Sequence, residues 1–149
     1  MSKVEYDKIN SYLTGIFNRV LVIEERNLKA SRFSDITIKE MHTLDAIGEA
    51  KIAIASNIAK ELMVTISTVT ISLKNLERKN YIIRERSSED RRIVYIKLTD
   101  KGDTLYRAHR KFHKQMVKRF VKGISEKDMS VLFLGLKNLY NFLEEQKLP

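Results

Sequence analysis

The residues from Thr65 to Arg92 combine hydroxyl, amide and cationic groups at spacings that suit contact with a polyanion. At helical period, Ile66, Val69, Leu73 and Leu76 fall on one face of a segment running from about 66 to 79, and Thr65 stands where an N-cap belongs. The opposite face carries Ser67, Thr68, Thr70, Ile71, Lys74, Asn75 and Arg78. Ser, Thr and Asn have the donors and acceptors to address base edges in a major groove, whereas Lys74 and Arg78 suit phosphates. The period then changes: 82–86 and 93–98 are β-rich runs around a polar tip, which reads as a hairpin. Arg84 and Arg86 lie on its first strand, and Ser88, Asp90, Arg91 and Arg92 at its tip. An arginine presented there fits a narrow minor groove. Asp90 is placed to orient one of the two tip arginines through a charge-assisted pair, and the sequence leaves open which. A single exposed Ser or Thr would mean little; the whole cluster followed by a basic hairpin points to DNA.

A second concentration of chemistry lies at 107–122, where Arg107, Arg110, Lys111, Lys114, Lys118, Arg119 and Lys122 are accompanied by no acid. Such a face requires an anionic partner, DNA backbone or solvent. The same segment holds His109 and His113 one helical turn apart, a spacing that suits metal ligation or packing residues with polar tips. The 149 residues include no cysteine, which removes thiolate nucleophiles, disulfides and cysteine metal sites. No glycine-rich phosphate loop, Cys-His or Ser-His-Asp spacing or clustered carboxylate pair marks a catalytic centre. The reading is therefore a non-enzymatic binding protein with no required cofactor. The alternative of a DNA-coating factor would give a steep salt dependence with slight sequence preference.

These groups need a scaffold, and the composition supplies one: 43% hydrophobic residues, five glycines and one proline (Pro149) predict a largely helical single domain with short connections. Ile9, Leu13, Ile16, Phe17 and Val20 recur at helical spacing, giving a long amphipathic helix over about 3–29. Thr37-Ile-Lys-Glu40 forms a capping box for a helix that Gly48 is expected to end, and a third helix follows at about 53–62. With the helix from Ile66 this makes a helix-turn-helix. After the hairpin, Thr99 caps a helix carrying Leu105, Phe112, Met116 and Phe120 on one face. The box Ser125-Glu-Lys-Asp128 opens the last helix, with Met129, Leu132, Phe133, Leu136, Leu139, Tyr140 and Leu143 as its stripe. The net charge of +9 resides in 66–98 and 107–122. No 18-residue apolar run is present and the N-terminal residues lack a signal-peptide core, so a cytoplasmic protein is expected.

The order of long helix, helix, helix-turn-helix and wing bearing Ser-Glu-Asp-Arg-Arg92, followed by Leu98-Thr-Asp-Lys-Gly102 and two terminal helices, resembles the MarR family of bacterial regulators over essentially the whole chain. Asn80 stands where that family usually has glycine after the recognition helix, and asparagine tolerates the left-handed backbone such a cap needs. The resemblance implies a mainly α, winged helix-turn-helix fold spanning 1–149. In it, about 37–98 form the DNA-binding lobe and about 1–36 and 99–149 the dimerisation helices. It also implies a homodimer on a pseudo-palindromic operator of double-stranded DNA. Segments 33–48 and 109–117 are similar to the fatty-acid-biosynthesis repressors of the family, which implies acylated acyl carrier protein as effector. Carrier proteins are strongly acidic, so Arg107, Arg110, Lys111, Lys114 and Lys118 are candidate docking cations. Ile16, Phe17, Val20, His42, Leu44, His109, Phe112, His113 and Met116 are candidates for an acyl pocket, although apolar stripes of this kind commonly form plain core. The rival effector is zinc: with His109 and His113, Glu24 and His42 fall at positions resembling those of the family's zinc sensors. The surrounding cations oppose a dication there.

Overall fold

Helices begin in this chain where a hydroxyl side chain can take an otherwise unpaired backbone N–H. Ser2, Thr37, Thr65, Thr99 and Ser125 do so, accepting from the amides of Glu5, Glu40, Thr68, Gly102 and Asp128 at 3.1–3.3 Å. In the computed structural model, which describes residues 1–146, they open α1 (Lys3–Lys29), α2 (Ile38–Glu49), α4 (Ile66–Arg78), α5 (Asp100–Phe120) and α6 (Glu126–Glu145). The short α3 (Ala55–Glu61) follows uncapped Ile54. The wing is an antiparallel pair, β1 (Ile82–Arg86) and β2 (Val94–Leu98), with Ile82 opposite Leu98 and Arg86 opposite Val94. The Ile96 amide also donates to the Ala53 carbonyl at 2.9 Å, fastening the wing to the approach of α3.

Three local expectations are corrected. Gly48 does not end α2; it lies within the helix, where an added Cβ would stand 2.5 Å from the Tyr106 ring, so its role is close packing against α5. The predicted box of α6 is half made, because the Asp128 carboxylate accepts the Ser125 hydroxyl at 2.6 Å rather than a backbone N–H. The third helix is shorter than predicted, at Ala55–Glu61. Asn80 takes the left-handed conformation expected of it, at φ 65°.

The core forms where α2, α3, α4 and β1 close on one another: Leu44, Ile58, Val69, Leu73, Leu76, Tyr81 and Ile82 are each no more than 2% exposed. Leu28, at the end of α1, and Leu105, near the start of α5, mark its limits along the chain. The Leu98–Gly102 signature is the seam between this lobe and α5. The Thr99 amide donates to the Tyr81 carbonyl (3.0 Å) and its hydroxyl to the Asn80 carbonyl (2.7 Å). Lys101 donates to the Lys79 carbonyl (3.0 Å) and lies 4.0 Å from the centre of the Tyr81 ring. Gly102 is required because a Cβ there would fall 2.1 Å from the Tyr81 carbonyl oxygen. The end of α4 is thereby clamped to the start of α5. Outside the lobe the picture reverses: α6 buries no side chain, and α1 buries only Glu24 and Leu28. No helix among the described residues is long and apolar enough to cross a membrane.

Candidate nucleic-acid interface and effector groove

Val69, Leu73 and Leu76 anchor α4 in the core, which fixes what the other side of the helix presents. Ser67, Thr68, Ile71, Lys74 and Arg78 are exposed, while Thr70 and Asn75 are half-buried on its flanks. Several of these polar groups already have partners. Thr68 shares its hydroxyl with that of the cap Thr65 at 2.9 Å, and Thr70 donates to the Ile66 carbonyl at 2.8 Å. Asn75 accepts from Arg78 at 3.3 Å and faces the buried Glu40 carboxylate. Burial pushes the Glu40 carboxyl up, but its bonds to Lys79 (2.8 Å) and the Thr37 amide outweigh this and hold it below the usual range.

In the wing, Asp90 settles which tip arginine it orients. Its Oδ1 accepts both the Arg92 amide (2.9 Å) and Arg92 Nε (3.2 Å). Arg91 is exposed with no ion-pair partner among the described residues. Arg86 and Ser88 are also exposed. Arg84 departs from the expected DNA-facing position: it turns in toward α4, with Nε 3.2 Å from Glu77 Oε2 and its side chain 27% exposed. The signal that could have found this lies in β2, whose apolar alternate residues Val94, Ile96 and Leu98 mark the inward face that Arg84, opposite Ile96, shares.

The expected effector residues separate into three groups. Arg107, Arg110, Lys111, Lys114 and Lys118 all line one open groove of about 1040 Å³ along α5, with Asp45, Tyr106, His113 and Val117. Arg107 is matched by Asp103 at 2.6 Å and Arg110 by Glu49 at 3.3 Å, so Lys111, Lys114 and Lys118 carry the groove's unbalanced charge. Asp45, which sequence reasoning passed over, contributes a buried Oδ1 without a hydrogen-bond partner among the described residues, and burial raises its carboxyl above the ordinary range against the pull of Arg110. The second group is a polar cluster between α1, α2 and α5. Glu24 is 4% exposed; its Oε2 lies 3.0 Å from His42 Nε2, and its Oε1 lies 2.8 Å from His113 Nε2 and 4.0 Å from His109 Nε2. His109 and His113 share a 3.0 Å contact between their Nε2 atoms, which needs one ring to donate and the other to accept. Burial first, and the His113 ring second, depress His109 to about 4, so it is neutral near pH 7. The third group is spread between core and surface: Leu44 is fully buried, and Ile16 and Phe17 are 48% and 53% exposed on α1. Val20, Phe112 and Met116 are half-buried.

The architecture and its contents match known regulators. The family model for the transcriptional regulator SarA/Rot matches residues 22–109. The structure of FabT from Streptococcus pneumoniae in complex with DNA superposes with a TM-score of 0.86 at 58% identity, over 95% of this chain and 99% of that one. The MepR–DNA complex of S. aureus gives a TM-score of 0.72 at 26% identity, over 90% and 95% of the two chains. The transcriptional repressor MdtR of Bacillus subtilis is 27% identical over 107 residues, 72% of this chain and 69% of that one. The chain belongs to the MarR-type winged-helix transcriptional regulators, DNA-binding proteins and not enzymes. Within that class it stands close to FabT.

Proposed function

We propose that the chain is a homodimeric, sequence-specific repressor of fatty-acid-biosynthesis genes, with a long-chain acyl group on acyl carrier protein as corepressor. The observation that carries this reading is the 58% identity to FabT across nearly the whole of both chains. The dimer is supported by the apolar surface that one chain leaves exposed on its terminal helices, including Phe17, Leu21, Val131, Phe133 and Phe142. Its dimerisation helices are α1, α5 and α6, within the segments about 1–36 and from about 99 onward. Each subunit places α4 in a major groove and the wing tip, through Arg91, in the adjacent minor groove, with half-site centres about 10 base pairs apart. The carrier is supported by the groove whose unbalanced lysines, Lys111, Lys114 and Lys118, complement an acidic protein. Because α5 is clamped at its start to the end of α4, a ligand that shifts α5 against α1 alters the separation of the two recognition helices.

Fluorescence anisotropy on the host's fatty-acid-synthesis promoter against random DNA, in EDTA, tests this with and without long-chain acyl carrier protein. Tighter specific binding with the acylated carrier is expected; no change overturns the corepressor reading. A second reading has one observation in its favour: donor atoms of Glu24, His109 and His113 lie within 4.8 Å of one another, and His42 holds the other carboxylate oxygen. Imidazole and carboxylate donors fit zinc, although Arg107, Arg110, Lys111 and Lys114 on the same helix oppose a dication. If zinc replaces EDTA and alters specific binding where the carrier does not, the effector is the metal.

A further inference from the structure

The outward face of α4 has an apolar apex. At 100° per residue, Ile71 lies about 200° around the helix from Val69, whose side chain is 1% exposed in the core. Ser67, Lys74 and Asn75 flank it at one-turn spacings and Arg78 lies two turns on. At 63% exposed, Ile71 is the most exposed large apolar side chain of residues 37–98. The hydroxyls of Thr68 and Thr70 and the amide of Asn75 already have partners within the chain. The groups best suited to polar base readout are thus largely engaged, while the centre of the DNA-facing surface is hydrocarbon. In a major groove the one apolar group on a base edge is the C5-methyl of thymine. Against any other base pair, Ile71 would bury its surface on polar edges and gain little.

We infer that Ile71 is a specificity-determining residue that packs on a thymine methyl group, so that each half-site carries thymine beneath the centre of α4. The polar and cationic neighbours then set register, and the isoleucine supplies discrimination through a contact that needs no hydrogen bond. Loss of one buried methyl corresponds to about a fourfold weakening of binding.

The test uses a duplex selected by the wild-type protein from a randomised pool, with each thymine replaced in turn by deoxyuridine, which lacks the C5-methyl. One thymine per half-site is expected to show about a fourfold penalty with the wild-type protein. With Ile71→Ala that penalty disappears, and with Ile71→Val it is largely retained. Random duplex should bind all three proteins alike, since Ile71 meets no phosphate. Unchanged melting of Ile71→Ala confirms that the exposed site is not a folding determinant. The inference is overturned if the selected duplex lacks thymine in its half-sites, or if no deoxyuridine substitution matters. It is equally overturned if the penalties persist unchanged in Ile71→Ala, or if that variant weakens random DNA as much as the selected site.

Discussion

The winged-helix lobe and the terminal helices meet the problem of burial in opposite ways. In the lobe, Leu44, Leu76 and Tyr81 are wholly withdrawn from water within one chain. In α6, Val131, Phe133, Leu134, Tyr140 and Phe142 are each more than half exposed, and the helix buries nothing. A lobe that closes on itself holds α4, the helix proposed to read DNA, on a closely packed base. Helices completed only by a second copy, as proposed here, leave the distance between two such bases adjustable. The seam at Leu98–Gly102 is where the rigid half meets the adjustable one.

Breaking that seam should have the largest effect. Gly102→Ala places a Cβ 2.1 Å from the Tyr81 carbonyl oxygen, a backbone atom that cannot rotate aside. A loss of roughly 4 kcal/mol is expected in urea denaturation, beyond the usual range for overpacking because the atom met is backbone. A variant as stable as the parent would mean that α5 is not clamped to the end of α4.

The contrast itself can be sharpened by paired truncations. Leu44→Ala opens a cavity in the lobe and should cost about 3 kcal/mol at any protein concentration. Phe133→Ala with Leu134→Ala should leave the lobe's stability close to the parent's and weaken dimerisation about 100-fold, if each side chain is a moderate interface hot spot. Sedimentation equilibrium separates the two outcomes. Equal destabilisation of the monomer by both would show that α6 has its partners within its own chain.

A smaller effect lies beneath α4, at Glu40. Its carboxyl is held below its ordinary value of 4.5 because Lys79 and the Thr37 amide outweigh the effect of burial. A folded-state value below the unfolded one adds stability that is full above the unfolded value and is lost as pH falls through the folded one. Glu40→Gln is therefore expected to cost roughly 2 kcal/mol at neutral pH, the scale of hydrogen bonds to a charged group. The gap to wild type should narrow as pH falls below the ordinary value of 4.5 and close once pH has passed through the lowered folded-state value. A pH-independent gap would assign the loss to packing instead.

Most of the scaffold was legible in the sequence because its signals are local. The hydroxyl caps at Thr37, Thr65 and Thr99, the period-3.6 stripes and the switch to β-rich runs each act within a few residues. What escaped depends on contacts distant in sequence. Gly48 looked like a helix end because its partner, Tyr106, lies on another helix. Arg84 looked DNA-facing because its neighbour Glu77 belongs to α4 rather than to the wing. Asp45 carried no motif at all, and its unpartnered oxygen exists only once α2 meets α5. The Glu24–His42–His109–His113 constellation was reached through family resemblance, since no spacing rule links Glu24 to residues 85 and more positions away.

The finest contrast is between two adjacent residues of the wing. Arg92 is pinned to Asp90 through both its backbone and its side chain, whereas Arg91 has no such restraint among the described residues. Asp90 therefore shapes the tip and partly neutralises Arg92, and in the proposed mode of binding Arg91 is the cation left for the narrow groove. Arg91→Ala is expected to reduce the dependence of log K on log salt by about one unit and weaken binding severalfold. Arg92→Ala should give a smaller salt effect together with a looser tip, visible as faster amide exchange at Ile93, whose N–H donates to the Asp90 carbonyl at 2.9 Å. If the two variants change the salt slope equally, Asp90 does not divide their roles, and the tip behaves as an undifferentiated positive surface.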